Sequence, residues 1–110
     1  MPSLGANASC PIELNPHIVV VRYGDPISIN CSTSERHFDG LGWEASVNGI
    51  RLTTVNHLTW TVDRLTIWTL DPICYINPSP QSSFQQCNIV AKVVQYSKSC
   101  FFWFYIQNRS

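Results

Sequence analysis

The chain has 110 residues with seven basic and seven acidic side chains, so its formal net charge is zero and only 13% of it is charged. That balance leaves no electrostatic footprint for nucleic acid or for an anionic membrane surface. The length suits one domain, which buries only a little over ~60% of its unfolded surface and therefore needs more than an apolar core to be stable.

Taken in chain order, the pattern is β throughout. Ile18, Val19, Val20 and Val21 form a β-branched run, closed by a turn over Tyr23, Gly24, Asp25 and Pro26. Ile27, Ile29 and Cys31 then alternate with Ser28, Asn30 and Ser32, as in a strand with one buried face. Leu41, Trp43 and Ala45 alternate with Gly42, Glu44 and Ser46, and Asn48 with Gly49 marks a turn. Leu58, Trp60 and Val62 alternate with Thr59, Thr61 and Asp63; strands over 73–77 and 89–96 follow. Trp60, Val62, Leu65 and Trp68 are expected in the core, and residues 79–83 read as a polar loop. Turn signals recur at about eight to twelve residues with no helical stripe, which predicts an all-β sandwich of about seven antiparallel strands. The domain is placed at 10–97, with 1–9 and 98–110 as flanking segments expected to be poorly ordered.

Five cysteines are present: Cys10, Cys31, Cys74, Cys87 and Cys100. None stands in a Cys-x-x-Cys pair and no paired histidine follows, which argues against zinc. Widely spaced cysteines in a small chain instead point to disulfides and an oxidising compartment. The four inside the domain allow three pairings, and Cys100 is left over. Sequons at Asn7, Asn30 and Asn108 mark candidate glycosylation sites and agree with an extracellular setting. The first residues lack the basic and apolar regions of a signal peptide, and the apolar run over 101–106 is too short to span a bilayer. The chain is therefore expected to be a fragment, or an alternative product, of a larger surface receptor. His17, His37 and His57 are scattered, and no nucleophile triad, phosphate loop or carboxylate pair is visible. Neither an enzyme nor a small-molecule substrate is expected, and no cofactor.

The order Cys31, Trp43, Cys74 matches an immunoglobulin sandwich, in which the tryptophan packs on a disulfide between the two sheets. More specifically, Cys31-Ser32-Thr33-Ser34, Leu41-Gly42-Trp43-Glu44 and Pro72-Ile73-Cys74-Tyr75-Ile76-Asn77 together resemble the first domain of the intercellular adhesion molecules. The resemblance covers roughly residues 10–96. The chain departs from that family at Glu35 and Pro78, where the family has a second cysteine pair, and at Ala45-Ser46, which follow the glutamate in place of Thr-Pro. Pro72 also stands where antibody-like domains carry a tyrosine.

The resemblance implies a Cys31–Cys74 bond across the core, closing a loop worth about 4 kcal/mol in the chain-entropy picture. In the same fold the first and last strands run side by side, which makes Cys10–Cys87 the second pair. It also implies a binding site. Glu44 points outward because Trp43 and Ala45 point in, and Ile73, Tyr75 and Asn77 share its face because Cys74 points in. In the family the matching glutamate ligates a magnesium ion held by a leukocyte integrin, so the ion is the partner's and the chain has no metal site of its own. The alternatives are a structural spacer or homophilic module that ignores magnesium, and a soluble decoy using the same site.

Overall fold

The computed structural model of the protein describes residues 10–97, over which the chain forms nine strands and no helix. These are β1 (Glu13–Asn15), β2 (Ile18–Arg22), β3 (Ile27–Ser32), β4 (Gly40–Glu44), β5 (Ile50–Thr53), β6 (His57–Val62), β7 (Ile73–Asn77), β8 (Cys87–Val90) and β9 (Lys92–Tyr96). The expectations for Asn7, Asn108, Cys100, the apolar run and the order of the two flanks lie outside the described residues.

One sheet has the order β1-β3-β6, a second β5-β4-β7-β8, and β2 with β9 forms a separate ladder. The strand count exceeds the expected seven by two because the first and last strands are each broken in two. β1 pairs antiparallel with β3, whereas β2 pairs parallel with β9, in register from Ile18 opposite Lys92 to Arg22 opposite Tyr96. The break falls at Pro16, whose peptide bond to Asn15 is cis. Proline has no N–H to give a ladder, so the first strand changes sheets where one bond would be missing anyway.

The core lies between the two larger sheets. Ile27, Ile29 and Cys31 of β3 and Trp60 and Val62 of β6 face Leu41 and Trp43 of β4 and Cys74 and Ile76 of β7. The Trp43 and Trp60 rings lie 6.2 Å apart. Each buried indole finds an acceptor: Trp43 Nε1–H donates to the Leu58 carbonyl and Trp60 Nε1–H to that of Val47, both at 2.9 Å. Without those acceptors each N–H would forfeit its hydration, at a cost of about 1–3 kcal/mol.

Cys31–Cys74 joins the sheets with Cα atoms 6.5 Å apart, and Cys10–Cys87 forms at 5.8 Å. The protein is a disulfide-stapled, immunoglobulin-like β-sandwich, and two such bonds belong to an oxidising, extracellular type of environment. The second bond has a different setting from the one expected. Cys10 lies upstream of β1, whose partner is β3, while the strands that run parallel side by side are β2 and β9. Among the described residues no helix is long and apolar enough to cross a membrane.

The turn expected at Asn48 and Gly49 lies in the connection after β4, over 45–49, where Asn48 takes the left-handed region at φ 55°. The Asn48 amide donates to the Thr61 carbonyl at 3.0 Å, which fixes that loop against β6. Trp68 is not in the core: it is 57% exposed, with its ring 4.9 Å from that of Tyr23. The inward positions of its loop belong to Leu65 and Thr69, both buried. The loop is held by buried Gln95, which accepts from Thr69 N–H and donates to the Ile67 carbonyl, both at 2.8 Å. Trp60, Val62 and Leu65 are buried as expected.

Candidate functional site

Alternation along β4 sends Leu41 and Trp43 into the core and leaves Gly40, Gly42 and Glu44 on the outer face. Two of those three have no side chain, so Glu44 is the one side chain β4 offers there. On β7, Cys74 and Ile76 are buried, and Ile73, Tyr75 and Asn77 stand half-buried on the same outer face.

Register turns this into three rows. Glu44 lies opposite Ile73, which lies opposite Val90 of β8. Gly42 lies opposite Tyr75, which lies opposite Asn88. Gly40 lies opposite Asn77. Opposed residues of antiparallel strands share a face, so all four sequence-predicted site residues come together on one surface. They line a shallow, open depression of about 660 Å³, with Arg51 and Gln86 at its margins.

Gly42 sets the shape of that surface. A Cβ there would sit 2.3 Å from Tyr75 Cζ and 2.4 Å from its hydroxyl oxygen, far inside contact distance. The phenol ring therefore lies across the bare backbone of β4, and the glycine is what lets it lie flat. Beside this ring Glu44 is exposed, and among the described residues no cation lies within the 4.0 Å of an ion pair; the one such pair is Arg22 with Asp25, at 3.4 Å. The strand fixes the Glu44 backbone, and among the described residues no hydrogen bond or ion pair engages its carboxylate.

Sequence reasoning missed Val90, Asn88 and Arg51. Val90 is 46% exposed, and its outward direction follows from alternation with buried Ala91 once the last strand is known to break there. Arg51 reaches the margin because β5 carries an extra residue where its register with β4 shifts between Leu41 and Trp43, and no sequence signal announces that bulge. The three histidines stay apart: the His17 backbone accepts from Lys92 N–H, His37 offers its carbonyl to Ser82, and the His57 ring meets Asn56. Among the described residues no group of three or more His, Cys, Asp or Glu is arranged to hold a metal ion. Asn30 stands on β3, in the opposite sheet.

No family model and no curated protein matches the chain. Among solved structures, a chain in the work on T cell specificity and activation by the bacterial superantigen toxic shock syndrome toxin-1 is similar at 16% identity and a TM-score of 0.49. That likeness covers 74% of this chain and 97% of the other, and at that level it carries no argument about function.

Proposed function

We propose that this is a cell-surface adhesion domain that presents Glu44 as a ligand to a magnesium ion held by a leukocyte-type integrin. The observation that carries the reading is the setting of Glu44: an exposed carboxylate on a strand, with no ion-pair partner among the described residues, in a row with Ile73 and Val90 and beside the Tyr75 ring. Mg²⁺ is a hard cation that binds few protein carboxylates and accepts an incoming oxygen at an open position. Because the backbone of Glu44 is already ordered in β4, only its side-chain freedom is lost when it becomes that ligand. Ile73, Val90 and the Tyr75 ring would surround the contact with apolar surface, exclude water and strengthen the oxygen-to-metal bond. Asn77 offers hydrogen bonds at the rim.

Surface-plasmon binding to isolated integrin inserted domains tests this, first with Mg²⁺ and then with EDTA. Binding that needs Mg²⁺ and disappears in the Glu44→Gln variant supports the reading. Binding that persists in EDTA, or in that variant, refutes it and returns the face to a homophilic or spacer role.

A further inference from the structure

The sequon Asn30-Cys31-Ser32 sits in an unusual place for an acceptor of N-linked sugar. Such acceptors belong to surface loops. Here Asn30 and Ser32 lie within β3, the central strand of its sheet, with a hydrogen-bonded neighbour along each edge. Asn30 is opposite Asn15 of β1 on one side and Thr59 of β6 on the other. Cys31, between the two sequon residues, is fully buried and bonded to Cys74. Taking this segment into an enzyme's active site means opening two ladders and drawing the disulfide out of the core.

The side chain, by contrast, suits the modification. Asn30 faces outward and is half-buried, with exposed Asn15 and Thr59 beside it. Its Oδ1 accepts from the Thr59 hydroxyl at 3.1 Å. Among the described residues no hydrogen bond engages its Nδ2, the atom that would carry the sugar. The folded sheet therefore has room for a glycan on Asn30 and no route for adding one.

We propose that Asn30 is an N-glycosylation site open only until the Cys31–Cys74 bond closes, so that oxidation of the chain ends its modification. Both reactions draw on the same segment. In the first, Asn30 Nδ2 loses a proton and bonds to the anomeric carbon of a sugar carried on a lipid diphosphate. The bond from that carbon to the diphosphate oxygen breaks, and the lipid diphosphate leaves. In the second, the Cys31 and Cys74 thiols exchange with the disulfide of an oxidising protein, which takes up their two electrons and two protons and departs as a dithiol. Cys74 follows Cys31 by 43 residues. At a synthesis rate of about 5–20 residues/s it appears about 2–9 s later, and the sugar transfer has that opening. A glycan added then stays on the polar face while the core closes beneath it.

The test uses the full chain, prepared without sugar and with both disulfides formed, given an oligosaccharide transferase and its lipid-linked donor. Occupancy at Asn30 is read by peptide mass spectrometry. The comparison is the Trp43→Ala, Cys74→Ala double variant, which loses the core but keeps the sequon. The oxidised chain should be modified at least about 100-fold more slowly than the variant, because β3 opens for only a small fraction of the time. Comparable rates overturn the proposal, and so does a variant that takes no sugar at Asn30. In a second experiment the reduced chain is glycosylated first and then oxidised. It should form the Cys31–Cys74 bond and melt within about 5 °C of the unmodified protein. Failure to form that bond overturns the proposal as well, since the glycan would then not fit the folded sheet.

Discussion

The two outer faces of the sandwich obey the same alternation and are filled in opposite ways. On the β1-β3-β6 sheet, Ser28, Asn30 and Ser32 lie opposite Thr61, Thr59 and His57. Ser28 and Thr61 hydroxyls approach to 3.4 Å, and the Thr59 hydroxyl donates to Asn30 Oδ1 at 3.1 Å. That face is polar from edge to edge and in part hydrogen-bonded to itself. On the other sheet, the corresponding row is Glu44, Ile73 and Val90, with Tyr75 laid over a glycine. Covering the first face would cost hydration with little gained, whereas covering the second would remove apolar surface and could give a partner to a carboxylate that has no ion pair among the described residues. The lesson is that exposure alone does not mark a site; what the exposed positions still lack does. A glycan on Asn30 would stand on the polar face, a sheet spacing of about 10 Å behind the Glu44 face, and would leave the latter clear.

The contrast can be broken most sharply at Glu44. Glu44→Gln keeps the shape but removes the charge, and should cost on the order of 100-fold in Mg²⁺-dependent binding by surface plasmon resonance, with the thermal midpoint unchanged. Next in size is Gly42→Val. It forces the Tyr75 ring off the backbone, and should lower stability by about 1–3 kcal/mol in urea unfolding while also weakening partner binding. A stable Gly42→Val protein with a normal dissociation constant would show that the flat ring is irrelevant. Val90→Ala should cost about 1 kcal/mol of binding, roughly fivefold, with little change in folding, because the side chain is half exposed and near the edge of the contact. The smallest effect is expected on the opposite face. Thr59→Ala removes one exposed cross-strand hydrogen bond, which should lower stability by about 0.5 kcal/mol and leave binding as it was. If Thr59→Ala instead weakened binding as much as Val90→Ala does, the functional difference between the two faces would disappear.

Much of this was legible in the sequence because strand periodicity is local. The alternation around Trp43 was enough to send Glu44 outward, and the alternation around Cys74 to put Ile73, Tyr75 and Asn77 on one face. The positions of Cys31, Trp43 and Cys74 carried the sandwich, because a small sheet pair has few ways to bury two cysteines and a tryptophan together. Trp68 shows the limit of reading by residue type: its size suggests core, but Leu65 and Thr69 take the inward positions of that loop and leave the ring on Tyr23. Other features depended on partners far away in the chain. The parallel pairing of β2 with β9, which takes the first strand out of its sheet, and the fit of Tyr75 over Gly42 join segments tens of residues apart, and the bulge beside Arg51 rests on register across the loop between β4 and β5. Periodicity encodes which way a side chain points; only register across strands decides what stands next to it.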